Sequence, residues 1–149
     1  MHLLLHFDGS CANNPGGPLG FGWHIDDDVG KAVAEESGPI TGYRPEESTN
    51  NVAEFEALLA GLEWLGALKA FPVESLTIRG DSQLVVKIVS GKWKAKAEHL
   101  KALAENCKSA VESLPTNTVR YEWIPREMNS RADALAGEYA EWIKPKWMK

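Results

Sequence analysis

The chain has 149 residues, a length that suits one domain with a sizeable core. Its 44% hydrophobic and 25% charged content is that of an ordinary globular protein, and its formal net charge is −5. That balance excludes a global basic field, so a nucleic-acid partner needs a local basic patch.

The two cysteines, Cys11 and Cys107, make neither a CxxC pair nor a zinc spacing and are too few for a disulfide scaffold. The opening MHLLLHFD has no basic region and only a short apolar run, unlike a signal peptide. No segment approaches the ~20 apolar residues of a membrane span. The expected setting is the cytoplasm, with no membrane, no obligatory protein partner and a monomeric chain.

Taken in order, Leu3 to Phe7 reads as a strand stopped by Asp8. Gly16, Gly17 and Pro18 make a turn before a second strand, Phe21 to Ile25. The Asp26–Asp27–Asp28 run with Gly30 suits a hairpin turn into a third strand, Lys31 to Ile40. Three strands on short turns predict an antiparallel meander. Residues 50–69 then repeat Val52, Phe55, Leu58, Leu59, Leu62, Leu65 and Leu68 at helical spacing, and Pro72 ends the pattern. Beyond it come a strand (Ser75 to Arg79), a short helix (Ser82 to Val89), a longer helix (Ala97 to Leu114), a strand (Thr118 to Ile124) and a last helix over 130–143. That alternation implies parallel strands with helical crossovers. The expectation is an α/β fold: one five-stranded mixed sheet in a single domain, residues 1–143, followed by a short basic tail, 144–149.

Four acids break the pattern of their surroundings. Asp8 and Asp81 each follow an apolar strand, at the edge where open α/β sheets bind ligands. On a wheel of about 100° per residue with Val52 at the origin, the large apolar residues span about 160° to 360° and Glu54 falls near about 200°. Glu54 therefore faces the sheet, while Glu56 and Glu63 fall mostly outside that arc. A buried carboxylate must be protonated, paired or bound to metal. Asp133 lies on the border of the stripe made by Ala132, Leu135, Ala136, Tyr139 and Ile143. Each acid alone has a plain reading as a turn, cap, core or solvated residue. Together, two charges at ~4 Å repel by roughly 4 kcal/mol at an effective dielectric of 20, so converging acids would not all ionise unaided, and a hard divalent cation solves this. Two such ions suit phosphoryl transfer to water.

FDGSCANNPGG, TNNVAEFEAL, RGDSQLV and NSRADALA resemble the four active-site blocks of type 1 ribonuclease H, in the family's order and over nearly the whole chain. The resemblance implies cleavage of the RNA strand of RNA/DNA hybrids with Mg2+ or Mn2+, leaving 5′-phosphate and 3′-hydroxyl ends. It makes Asp8, Glu54, Asp81 and Asp133 the metal-binding carboxylates. It gives Asn14, Asn51 and Gln83 contacts to the RNA strand and Thr49 a contact to a DNA phosphate. Amide side chains both donate and accept, which suits base edges and 2′-hydroxyls in a wide minor groove. Asn14 also suits a turn, Thr49 and Asn51 also suit helix capping, and Gln83 suits a plain first helical turn.

Two departures from the family stand out. Many members carry a histidine before the last helix, whereas WIPREMNSRAD has none and offers Arg126, a permanent cation that cannot act as a base. The extra basic helix of some members is also missing. In its place, positions 87–108 hold six lysines (87, 92, 94, 96, 101, 108) against two glutamates (98, 105), with Trp93 among them to pack on a sugar or base. Rival readings are another nuclease on the same fold, a non-catalytic hybrid-binding module and a cation-binding structural protein.

Overall fold

A computed structural model describes residues 1–68 and 72–142, with side chains through residue 138. Five strands form one sheet: β1 (His2–Cys11), β2 (Leu19–Asp27), β3 (Ala32–Ile40), β4 (Ser75–Gly80) and β5 (Val119–Trp123). The order across the sheet is β3-β2-β1-β4-β5. β1–β2 and β2–β3 pair antiparallel, while β1–β4 and β4–β5 pair parallel, so the expected meander followed by parallel strands is present.

Among the described residues, four α-helices flank the sheet: α1 (Asn50–Ala67), α2 (Gln83–Val89), α3 (Glu98–Glu112) and α4 (Ser130–Trp142). Val52, Phe55, Leu58, Leu62 and Leu65 of α1 are buried against Leu3, Leu5 and Phe7 of β1, Trp23 of β2 and Ile78 of β4. Leu103, Ala104 and Cys107 of α3 extend the same core. α4 covers the opposite face. A Cβ on Gly22 would stand 2.5 Å from the Ala136 nitrogen, so a bare strand lets this helix lie directly on the sheet.

The differences from the sequence expectation lie at element ends. β1 runs on to Cys11 because β2 continues the ladder, pairing Asp8 with Gly22 and Cys11 with Leu19. A side-chain charge does not stop a strand whose backbone still has a partner. Asp26 and Asp27 likewise lie inside β2, and the turn follows them. There Asp27 Oδ1 accepts from the N–H groups of Val29 and Lys31, at 3.1 and 2.8 Å, and Gly30 takes φ +84°. α1 ends at Ala67, with Leu68 extended. Position 69 of that expected helix, position 143 of the last one and the basic tail lie outside the described residues. Among the described residues, no helix is long and apolar enough to cross a membrane.

Candidate active site

The last pair of the β1–β4 ladder is His6 with Arg79. Beyond it β1 continues beside β2 alone, and after Gly80 the chain turns into α2, capped by Ser82 Oγ accepting from the Val85 N–H at 3.2 Å. The acids meet in this opening. Asp8 is buried in β1, and Asp81 is the first residue past β4. Glu54 arrives from the start of α1, in the orientation the helical wheel predicts. Gly9 makes its approach possible, because a Cβ there would lie 2.2 Å from the Ala53 carbonyl carbon and 2.4 Å from the Glu54 nitrogen.

One carboxylate oxygen from each of Asp8, Glu54 and Asp81 lies within 4.8 Å of the others. They line a cleft of about 310 Å³ together with Gly9, Ser10, Cys11, Asn50, Arg126 and Asp133. Burial, then the charges of Glu54 and Asp81, push the Asp8 carboxyl from its ordinary 3.8 up to about 9. Glu54 is pushed from 4.5 up to about 7, first by burial and then by the charge of Asp81, with the Ser82 hydroxyl, Asp8 and Arg126 opposing. Glu54 Oε2 is buried with no hydrogen-bond partner among the described residues. The trio is therefore short of positive charge, and its all-oxygen donor set fits a hard divalent cation.

A family model described as reverse transcriptase-like matches residues 6–139. The ribonuclease H of Lachnoclostridium phytofermentans is 30% identical over 158 aligned positions, covering 95% of this chain and 93% of that protein. The solved LC11-RNase H1, in complex with an RNA/DNA hybrid, matches with a TM-score of 0.82 at 33% identity, over 94% of this chain and 97% of that one. The chain belongs to the type 1 ribonuclease H family. The ribonuclease HI of Halobacterium salinarum is 36% identical over 133 residues, which cover 89% of this chain. The chain spans 61% of that protein and 35% of its mycobacterial relatives.

The residues expected from the ribonuclease H resemblance divide into two groups. Asp8, Glu54 and Asp81 form the trio, and Asp133, from the first turn of α4, lines the same cleft outside it. Arg126 reaches Asp133, with Nη2 3.5 Å from Oδ1, although its side chain is 76% exposed. Asn14, Thr49, Asn51, Gln83 and Trp93 are not among the cleft-lining residues. Thr49 Oγ1 caps α1, accepting from the Val52 N–H at 3.3 Å, and Asn14 Oδ1 accepts from the Asn50 N–H at 3.2 Å. Asn51 and Gln83 are exposed. Trp93, 46% exposed, lines a separate cavity of about 670 Å³ with Leu84, Ile88, Leu100, Lys94 and Lys96.

Sequence reasoning missed Asn50, which lines the cleft beside Glu54, and Asn129, which is buried behind Asp81. Asn50 lies in the quoted TNN block, but three adjacent polar residues at a helix start do not reveal which one turns toward the acids.

Proposed function

We propose that this chain is an endoribonuclease that hydrolyses the RNA strand of RNA/DNA hybrids, leaving 5′-phosphate and 3′-hydroxyl ends. The observation that carries the reading is the meeting of Asp8, Glu54 and Asp81, from three distant stretches of sequence, within 4.8 Å. Relatives named ribonuclease H, and a hybrid bound to LC11-RNase H1, support the substrate class.

Asp8, Glu54, Asp81 and Asp133 would hold Mg2+ or Mn2+, in a two-ion arrangement. A bound divalent cation supplies Lewis acidity for phosphodiester hydrolysis. The chain's own residues orient and hold the substrate. Arg126 carries a guanidinium cation, so its role is to neutralise phosphate charge at the cleft rim rather than to act as a base. Asn14, Asn51 and Gln83 reach for the RNA strand. Thr49 spends its oxygen on a helix cap but keeps its O–H to donate to a DNA phosphate. The 87–108 lysines and Trp93 hold the duplex electrostatically and by packing, which makes binding salt-sensitive. The protein acts in this reading as a cytoplasmic monomer.

The test is a labelled RNA/DNA hybrid, duplex RNA and duplex DNA, each incubated with magnesium and with chelator. Magnesium-dependent cutting confined to the RNA of the hybrid is expected. Comparable cutting of duplex DNA would favour a different nuclease on this fold, and tight binding without cutting would favour a binding module.

A further inference from the structure

Asn129 is 1% exposed, immediately before α4. An asparagine at that place ordinarily turns its side-chain oxygen back to cap the helix. Here the side chain turns inward. Nδ2 donates to the Phe7 carbonyl at 2.9 Å and to Asp81 Oδ1 at 3.4 Å, while Oδ1 is buried with no partner among the described residues. The amide orientation follows from chemistry: both neighbours are acceptors, so the NH2 group must face them.

Three contacts of Asn129, one to the Asp81 carboxylate and two to backbone groups, each bear on the placement of a different acid. Phe7 precedes Asp8 and lies past the last β1–β4 pair, where its carbonyl lacks a partner on β4. Asn129 supplies that partner and so fixes β1 at the point where Asp8 leaves it. Its second N–H holds the Asp81 carboxylate. Its backbone carbonyl accepts from the Asp133 N–H at 3.0 Å, which sets the first turn of α4. A buried unpaired acceptor is costly, and a fold tolerates such a breach of local rules where function requires it.

We propose that Asn129 is a positioning residue for the carboxylate cluster, its one side-chain amide holding Asp81 against the strand that carries Asp8. The inference rests on the proposed divalent-cation site and extends it to a residue that touches neither cation nor substrate.

Manganese titrated calorimetrically into the metal-free protein tests it, without nucleic acid, so that a failure of hybrid cleavage is read separately. Asn129→Ala is expected to weaken manganese binding by about 10–100-fold, as removal of a partner behind a ligand does. The same change in an Asp81→Asn background is expected to cost much less, since the ligand it orients is already lost. Equal fold-losses in the two backgrounds would reduce Asn129 to a structural residue, and an unchanged affinity in Asn129→Ala would remove it altogether. Leu103→Ala, in the distant core, serves as the destabilised control and should keep manganese affinity while lowering the melting temperature. If it loses as much affinity as Asn129→Ala, general loosening explains both and the proposal fails. Should Asn129→Ala not fold, Asn129→Ser, which leaves a hydroxyl too short to span both acceptors, is read against the same outcomes.

Discussion

Asp8 and Glu54 hold carboxylate oxygens within 4.8 Å of each other, one on a strand and the other on a helix packed directly across Gly9. In the metal-free protein this site opposes folding, because burial, first, and the neighbouring acids disfavour the ionised form of Asp8, and burial with the charge of Asp81 does the same to Glu54. Asp8→Asn removes a charge and keeps the shape. It is expected to abolish magnesium-dependent cutting of the hybrid and to raise the melting temperature, by about 2–4 °C for each kcal/mol of repulsion relieved. Glu54→Gln should also lose cutting. Thermal unfolding in chelator alongside the cleavage assay checks both effects. A melting temperature that falls in Asp8→Asn would mean that the carboxylate stabilises the fold, contrary to its raised pKa.

The same shifts fix a pH dependence. Asp8 and Glu54 bind protons more tightly folded than unfolded, with values near 9 and 7 against ordinary ones of 3.8 and 4.5. Their contribution to stability is therefore fully present below the ordinary values. It is lost progressively as pH rises from those ordinary values, until about 7 for Glu54 and about 9 for Asp8. The metal-free protein should melt at progressively lower temperature across that window. Saturating magnesium, which favours the ionised carboxylates, should flatten or reverse the trend. Melting curves at several pH values, with magnesium and with chelator, provide the measurement. Identical slopes in the two conditions would separate these carboxylates from any cation site.

Most of the scaffold was legible because its signals are local and repetitive. The stripe from Val52 to Leu65 identifies α1, and one residue out of place on it, Glu54, points to the site. Strand ends were less legible, because Asp8 and Asp26 look like breakers while their backbone groups are paired by neighbours that a single strand does not reveal. Asn129 was illegible for a related reason. Its residue type before a helix matches a cap, and only the Phe7 carbonyl, from the far end of the chain and beyond the last β1–β4 pair, explains why its amide turns away. The four substrate residues carried over by resemblance, Asn14, Thr49, Asn51 and Gln83, lie outside the lining of the acidic cleft, and nothing in their spacing could distinguish capping from contact.

Gly9 gives a steric test of how the site is built. A methyl group at that position would meet the backbone of Ala53 and Glu54 at 2.2 to 2.5 Å, so α1 must move away from β1. Overpacking of this kind costs about 1–3 kcal/mol. Gly9→Ala should therefore lower stability and also carry Glu54 away from Asp8 and Asp81, with turnover falling more than hybrid affinity. Steady-state kinetics and chemical denaturation measure the two effects. A stable variant with full turnover would show that the close approach of α1 is not needed for chemistry.

Arg126 and Asp133 form an ion pair at 3.5 Å in which the arginine is 76% exposed, so the pair contributes at most about 1 kcal/mol to stability. Arg126→Ala should leave the melting temperature and metal affinity almost unchanged while lowering turnover modestly. Rates measured across pH are the check. A profile superimposable on the unaltered protein's would make Arg126 an ordinary surface residue.

Trp93 and its lysines test how an acidic protein holds a polyanion. Trp93 is exposed at the mouth of an apolar cavity, and Lys94 and Lys96 line it as well. Lys94→Ala and Lys96→Ala should each raise KM for the hybrid with little change in kcat, and each should reduce the slope of log affinity against log salt by about 1. Trp93→Ala should weaken binding through lost packing, with the salt slope intact, since no charge is removed. The slopes distinguish the two kinds of contact even where the losses in affinity are alike. If the lysine variants keep the full salt dependence, the phosphates are met elsewhere, and the cavity beside α2 and α3 belongs to the core rather than to the substrate.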